Sequence, residues 1–345
     1  MVEKTTIASA PAKVILLGGK AVNWGFPALV AAVGIRSYCT VVPLAGRNGY
    51  RFTFDEHSET GSLDDVQAFR MRIDGLRETK DYDQISDIAK KDFFGPTRYV
   101  LAHIAERTGE VGLEITWRSE IPSGSGLGSG AAASASMVVA AMHALGHPPS
   151  AQETAWLAWQ GDVIAHGGVG TGLDSGASAL GGIVRYSLKE GPNRLELKTY
   201  PSLVIGDTLV RASTAASNTS SRNWIADHPM RFHLLREMGM LVEQAQSAIG
   251  EGDLATVGHM MNLSQLIKEK LGMSTAKIEG LIEAALGAGA LGAKISGKGG
   301  GGIVVALCEP GKENEVARAI DAAGGKGIVA EVGVPGARLE STERS

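Results

Sequence analysis

The first part of the chain carries apolar patterns that predict strands. Three of them are nearly continuous apolar runs: KVILLGG (13–19), ALVAAVG (28–34) and YCTVVPL (38–44). In GLEITWRSEI (112–121), apolar and polar residues alternate strictly, so that Leu113, Ile115 and Trp117 share one face. A period of two is typical of a strand that packs one face on the core and exposes the other to solvent.

Helical spacing of apolar residues dominates the middle of the chain. It runs through three segments: 95–109, 131–146 and 150–168. Ser150 stands at the start of the last segment and Glu153 follows three residues later, which predicts a capping box there. Residues 55–95 are polar and charged, which indicates an insertion or surface helices.

From about residue 196 the pattern changes. Residues 202–210 predict a strand, and helical patterns follow near 229–249, 253–270 and 275–288. The segments that remain predict a turn into a buried strand, then a helix, then a last strand: 294–309, 313–325 and 327–334. We therefore predict an α+β fold of two domains, residues 1–195 and 196–345.

Composition narrows the function classes. The net charge is −4 and no run of lysine or arginine stands out, so neither nucleic acid nor an anionic membrane is an expected partner. Cys39 and Cys308 are too few for a disulfide framework and are expected to be reduced. Because no apolar run approaches the ~20 residues of a membrane span and the N-terminus lacks an apolar signal core, we predict a cytoplasmic protein.

The stretch IPSGSGLGSGAAASASM (121–137) carries glycine at every second position from Gly124 to Gly130. A glycine-rich loop that opens a helix can bind phosphate through its main-chain N–H groups, although a helix start packed closely on a neighbour has the same pattern. A dinucleotide-binding loop does not fit, because the preceding strand alternates and no carboxylate lies about 20 residues further on. GAKISGKG (292–299) imitates a P-loop but lacks its final hydroxyl and follows a helical pattern.

Three glycine-containing motifs, taken in order, resemble those of the GHMP kinases. They are APAKVILLGGKAVNWGFPAL (10–29), IPSGSGLGSGAA (121–132) and KISGKGGGGIVVAL (294–307). Three further stretches are most similar to the branch of the family that phosphorylates mevalonate: WQGDVIAHGGVGTGLDSGASALGG (159–182), ALGAKISGKGGGG (290–302) and GVPGARLE (333–340). The resemblance therefore spans nearly the whole chain.

The resemblance implies a two-domain GHMP kinase fold, in which an N-terminal domain like ribosomal protein S5 domain 2 precedes a ferredoxin-like C-terminal domain. It implies an enzyme of isoprenoid synthesis that uses ATP and Mg²⁺ to phosphorylate the primary hydroxyl of mevalonate, giving 5-phosphomevalonate. The expected partner is this small molecule or a close relative, and a homodimer is expected.

The resemblance also assigns roles to individual residues. Asp174 is expected to accept the proton of the alcohol, and Lys13 to keep Asp174 ionised and stabilise the transferring phosphoryl group. The expected phosphate cradle comprises Ser119, Gly124, Ser125, Gly126, Leu127, Gly128, Ser129, Gly130 and Ala131. Thr171, Thr214, Lys20 and Lys298 are expected near the substrate, with a solvated surface role as the alternative for the two lysines. Ser129 and Asp162 are expected near Mg²⁺, although Asp162 can instead pair with His166 one helical turn later.

Several positions depart from the pattern of the family. Gly19 and Lys20 replace a glutamate and a histidine, Gly130 replaces a serine expected to touch Mg²⁺, and Lys298 replaces an alanine. Asp162 stands where a longer glutamate is usual. These departures leave two alternatives open: a sister kinase that acts on phosphomevalonate or another small anionic alcohol, and a catalytically impaired relative that only binds its ligand.

Overall fold

The computed structural model describes residues 4–44, 48–109, 112–211 and 228–344. Within these ranges the strands are β1 (Lys4–Leu17), β2 (Ala28–Pro43), β3 (Gly49–Phe54), β4 (His57–Ser62), β5 (Gly112–Ser119), β6 (Ile183–Ser187), β7 (Gly191–Leu195), β8 (Ser202–Asp207), β9 (Ala290–Ser296), β10 (Ile303–Cys308), β11 (Lys326–Ala330) and β12 (Arg338–Arg344). The α-helices are α1 (Leu63–Glu78), α2 (Tyr82–Lys91), α3 (Gly95–Thr108), α4 (Ser129–Ala144), α5 (Ala151–Ala165), α6 (Leu173–Leu180), α7 (Pro229–Glu251), α8 (Leu254–Lys270), α9 (Ala276–Gly287) and α10 (Glu313–Ala322). A 3₁₀ helix (Gly19–Trp24) follows β1.

The first sheet has the strand order β12-β1-β2-β5-β3-β4, and β6 joins it by pairing with β2 and β7. Its neighbours are antiparallel except β3 and β5, which run parallel. Helix α4 packs on β1 and β2, and α3 and α5 pack against α4. The helices therefore cover one face of the sheet, and the glycine loop that precedes α4 lies beside β1.

The second sheet is antiparallel, with the order β11-β8-β10-β9. Helices α9 and α10 cover one face, and α8 lies along β9. One hydrophobic cluster joins the two sheets, since it contains Leu16 and Leu29 from the first sheet and Leu203, Ile205 and Val305 from the second. The two sheets thus share one apolar core.

The predicted division after residue 195 stays a prediction, and the C-terminal strand lies in the first sheet. Strand β12 pairs with β1 in the first sheet, with Arg344 opposite Lys4 and Arg338 opposite Ser9. The last strand of the described residues therefore lies beside the first. The polar sequence RLESTER (338–344) carries no apolar pattern that could have predicted this strand.

Most of the predicted elements are confirmed. The apolar runs 28–34 and 38–44 form one continuous strand, β2, and the three helical segments between 95 and 168 are α3, α4 and α5. One half of the predicted capping box is present at the start of α5, where the Ser150 hydroxyl accepts a hydrogen bond from Glu153 N at 3.1 Å. The Glu153 carboxylate instead pairs with Arg107 at 3.4 Å. The polar segment 55–95 holds α1 and α2, as expected, and also the second strand of an unpredicted hairpin.

Two predictions about chemistry outside the site also have an outcome. Cys39 and Cys308 are both free thiols, and both are buried. No helix in the described part of the chain is long and apolar enough to cross a membrane.

Candidate active site

The glycine loop needs glycine for backbone reasons at three of its positions. Gly124, Gly126 and Gly128 have φ values of +68°, +88° and +78°, a region that other residues enter only with strain. Gly128 is the N-cap of α4, so the first N–H groups of that helix face the loop. Gly130 is different, because a side chain there would meet nothing within 4 Å.

Lys13 and Asp174 form an ion pair beside this loop. Lys13 Nζ lies 3.1 Å from Asp174 Oδ1, with the lysine side chain 4% exposed and the aspartate 23%. The same ammonium donates to Gly126 O at 3.0 Å, so the lysine links the aspartate to the loop. A Cβ on Gly128 would stand 2.9 Å from Lys13 Cγ and Cε. Glycine at 128 is therefore required both by its own backbone and by the lysine stem.

The glycine loop and the helix that carries Asp174 are both bound to the open edge of β1. Strand β12 covers that edge only as far as Ser9, and the residues beyond it offer backbone groups to the site. Pro11 O accepts a hydrogen bond from Ser178 Oγ of α6 at 2.9 Å, and Lys13 N donates to Leu127 O of the glycine loop at 2.9 Å. The helix that carries Asp174 and the loop that would hold phosphates are thus attached to one strand edge.

The third glycine motif closes the arrangement from the second sheet. Gly300 N donates to Met273 O at 2.9 Å and Gly302 N to Val210 O at 2.8 Å, which hold the turn after β9. A Cβ on Gly302 would lie 3.1 Å from Ser125 O. The two glycine segments, which are far apart in sequence, therefore lie against each other.

The charges of Lys13 and Lys20 act on two further lysines, Lys268 and Lys298. Burial and the charges of Lys20 and Lys13 together lower the pKa of Lys298 to about 8, with Asp174 opposing the shift. Burial also lowers the pKa of Lys268 to about 7, with contributions from the charges of Lys13 and Lys20. The charges of Lys13 and Lys20 thus lower the pKa of both Lys268 and Lys298, and Lys298 is also close enough to Asp174 to be influenced by its charge.

Asp162 lies in α5 and is 5% exposed. Burial raises its pKa to about 6, with His166 opposing the shift and Asp174 adding to it. His166 Nδ1 lies 2.9 Å from the backbone oxygen of Asp162. Among the described residues, Asp162 Oδ2 has no hydrogen-bond partner. A buried acceptor without a partner is costly, which makes this oxygen a candidate ligand atom.

A cavity of about 240 Å³ connects Asp162 to the glycine loop. Its polar lining includes Ser119, Ser129, Gly130 and Asp162, and its apolar lining includes aromatic residues. The aromatic members are Phe54, Phe93, Phe94 and Trp117.

The remaining predicted residues fall in different places. The Ser125 hydroxyl donates to Pro122 O at 2.7 Å and its backbone N–H donates to the same oxygen at 3.4 Å, so both donors of Ser125 are engaged within the loop. Leu127 and Ala131 are buried, so they contribute packing and backbone groups. Thr171 is half-buried, three residues before Asp174. Thr214 lies outside the described residues.

Sequence reasoning missed four polar residues that contact the site. Lys294 and Ser296 of β9 bind the backbone of β1, and Lys268 of α8 binds the start of the third glycine turn. Arg211 pairs with Asp207 at 2.8 Å and lies beside Gly124. The one signal available was Lys294, a lysine within the otherwise apolar stretch ALGAKIS.

Comparisons with known proteins agree with this geometry. Family models match residues 96–182 as the GHMP kinases N terminal domain and residues 245–326 as GHMP kinases C terminal. The mevalonate kinase of Pyrococcus horikoshii is 33% identical, and the alignment covers 99% of each chain. The solved Methanococcus jannaschii mevalonate kinase superimposes with a TM-score of 0.76 at 18% identity, covering 94% of this chain and 98% of that one. The L. major mevalonate kinase in complex with R-mevalonate gives 0.72 at 23% identity, with 96% of both chains covered.

The fold, the glycine loops and the relatives together define the class of the protein, which is a phosphotransferase that uses ATP and acts on a small molecule. The chain belongs to the GHMP kinase family. The resemblance drawn from the three motifs and the two-domain α+β fold are thereby confirmed.

Proposed function

We propose that the protein transfers the γ-phosphoryl group of ATP to the primary hydroxyl of mevalonate, the first phosphorylation in an isoprenoid pathway. The observation that carries the proposal is the Lys13–Asp174 pair at 3.1 Å, held against the glycine loop. The choice of mevalonate rests on relatives such as the mevalonate kinase of Pyrococcus horikoshii, matched over 99% of both chains.

The cavity beside the glycine loop supports a nucleotide site. A base can pack on the aromatic side chains at the apolar end, such as Phe93 and Trp117, while the phosphates reach the N-terminus of α4. The helix dipole and the first N–H groups of α4 favour negative charge at that end. Backbone groups of Gly124, Gly126 and Gly128 can approach a phosphate closely, since they carry no side chain.

The donors present also fit Mg²⁺. Asp162 Oδ2, buried and without a partner in the described part of the chain, and Ser129 Oγ would hold the ion where both line the cavity. The described residues contain no group of three or more His, Cys, Asp and Glu that could hold a metal, which suits an ion bound by few carboxylates, phosphates and water. When bound, Mg²⁺ neutralises charge on the phosphates.

The chain's own residues supply the rest of the reaction. Asp174 orients the hydroxyl and accepts its proton as the alcohol oxygen bonds to the γ-phosphorus. The bond from that phosphorus to the bridging oxygen of ADP breaks, and ADP leaves with the electron pair. Lys13 stabilises both the carboxylate and the equatorial phosphoryl oxygens. The retention of this pair, already in contact, also argues against a relative that only binds its ligand.

One observation favours phosphomevalonate as a second candidate substrate. Lys20 and Lys298 add positive charge near Lys13 and Lys268, and the charges of Lys13 and Lys20 lower the pKa of both Lys268 and Lys298. A substrate that carries a phosphate in addition to its carboxylate relieves this repulsion more fully than mevalonate does. Thr171 and Thr214 are proposed as hydroxyl contacts to either substrate.

A coupled ADP-release assay with mevalonate, phosphomevalonate and other small alcohols, with and without Mg²⁺, tests these proposals. We expect Mg²⁺-dependent turnover with the largest kcat/KM for mevalonate. A larger kcat/KM for phosphomevalonate would transfer the assignment to the second candidate, and no turnover of either would reject both. Light scattering after size exclusion tests the homodimer that the family resemblance implies.

A further inference from the structure

Both backbone groups of Ile15 are bound by side chains from the other sheet. Ile15 N donates to Ser296 Oγ at 2.8 Å, and Ile15 O accepts from Lys294 Nζ at 3.1 Å. Ile15 follows Lys13 by two residues on the same open edge of β1, where Lys13 N binds the glycine loop. Side chains of β9 therefore bind β1 two residues after Lys13, the lysine of the Lys13–Asp174 pair.

Strand β9 is itself held from its far side by a row of side chains on α8. Asn262, Gln265 and Lys268 lie at intervals of three residues along that helix. These side chains form the hydrogen bonds that a neighbouring strand would otherwise form with this edge of β9. Asn262 donates to Leu291 O and accepts from Ala293 N, Gln265 accepts from Ile295 N, and Lys268 donates to Ile295 O and Gly297 O, all between 2.9 and 3.2 Å. Helix α8 thus fixes the position of β9, the strand that contacts β1.

The two β9 residues make contacts that packing alone does not require. Lys294 is completely buried, and its Nζ donates to Ile15 O and to Ile295 O at 2.6 Å. Burial lowers the pKa of this amine well below its usual value. Both of its hydrogen bonds are to backbone carbonyl oxygens. Ser296 is 3% exposed, so its hydroxyl has no water to replace Ile15 N.

We propose that Ser296 and Lys294 are positioning residues that set the place of Lys13 relative to Asp174 and the third glycine turn. The proposal rests on the roles given above to Lys13 and Asp174. The link is short, because the strand edge that β9 holds at Ile15 is the one that presents Lys13 two residues earlier. A displacement of about 1 Å at a reacting group can reduce a rate by about a hundredfold.

Ser296→Ala with Ser264→Ala as its matched control tests the proposal. Both serines are buried, and among the described residues the Ser264 hydroxyl has no partner. We expect Ser296→Ala to lower kcat at least tenfold while KM for ATP stays within about threefold, as a misplaced group predicts. Ser264→Ala keeps the wild-type kcat. Ser296→Thr, which retains the hydroxyl, restores most of the lost kcat.

A second measurement separates positioning from stability. Single-turnover rates, with enzyme in excess, are compared for Ser296→Ala, Lys13→Met and the double variant. If Ser296 acts through Lys13, the double variant is no slower than Lys13→Met. A multiplicative loss in the double variant overturns the proposal, as does a kcat for Ser296→Ala within twofold of wild type. A wild-type rate for Lys13→Met contradicts the proposed function itself, so the two failures are distinguishable.

Discussion

Replacing Asp174 by asparagine isolates the charge and basicity of the proposed base. The amide has nearly the shape of the carboxylate, so Lys13 Nζ, now at 3.1 Å from Oδ1, can keep an oxygen acceptor. Leu173 and Ser175, the neighbours of Asp174 in α6, are buried, which leaves the helix little freedom to shift. What the variant loses is the ability to accept the proton of the alcohol.

The magnitude follows from two contributions. A positioned general base contributes about 10²- to 10⁴-fold to a rate, so kcat should fall by that factor. The variant also leaves the Lys13 ammonium, 4% exposed, beside a neutral group. Losing a charge-assisted hydrogen bond at a buried site costs about 1–3 kcal/mol in the free energy of unfolding. That cost lowers stability without unfolding a domain of ordinary stability.

The assay pairs steady-state turnover with calorimetric ATP binding. We expect the Asp174→Asn variant to bind ATP within about threefold of the wild-type Kd, because the contacts proposed for the phosphates are with the loop and not with the carboxylate. Asp253→Asn is the matched control, since Asp253 is an exposed N-cap of α8 that asparagine also serves well. A kcat for Asp174→Asn within about threefold of wild type would remove Asp174 from its proposed role.

Two further variants test the site and its electrostatics. Gly128→Ala should cost about 1–2 kcal/mol from its φ of +78° and should lower kcat by pushing the Lys13 stem. Gly130→Ala, in open helical space, should be neutral or stabilising, and equal effects of the two on kcat and on urea unfolding would contradict the steric argument. Lys268 has a folded pKa of about 7 against 10.5 unfolded, so the unfolded chain binds more protons between these values and wild-type stability should rise with pH by up to about 1.4 kcal/mol per unit. Lys268→Met should lose this part of the slope in urea unfolding at several pH values, and an unchanged slope would show that Lys268 stays charged when folded.

The helices and the glycine loop could be predicted because their signals are local. Helices α3, α4 and α5 carry apolar residues at helical spacing, and Ser150 marks the start of α5. The loop before α4 is recognisable because positive φ values confine positions 124, 126 and 128 to glycine. In such segments a few neighbouring residues determine the backbone, so no knowledge of the distant chain is needed.

The contacts between β9 and Ile15 could not be predicted, because they join residues far apart in sequence. Lys294 Nζ and Ile15 O are separated by 279 positions, and nothing near either residue indicates the other. Strand β9 could not be predicted from its sequence either, because ALGAKIS is short and closely follows a helix. The contribution of α8 is equally indirect, because Asn262 and Gln265 look like ordinary polar residues of an exposed helix face.

The position at which β12 starts explains why an open strand edge exists where the site needs one. Strand β12 begins to pair with β1 at Arg338, opposite Ser9, and Arg36 holds the chain just before that point by donating to Pro335 O at 3.0 Å and to Gly336 O at 2.8 Å. The same guanidinium donates to Ser9 Oγ at 2.7 Å and to Ser9 O at 3.2 Å. The buried Arg36 side chain therefore binds both β1 and the chain before β12 at the point where their pairing begins. A β12 longer by a few residues would occupy the backbone groups of β1 that now bind α6, the glycine loop and β9. The stretch GVPGARLE therefore contributes to the architecture of the proposed site by fixing where β12 begins.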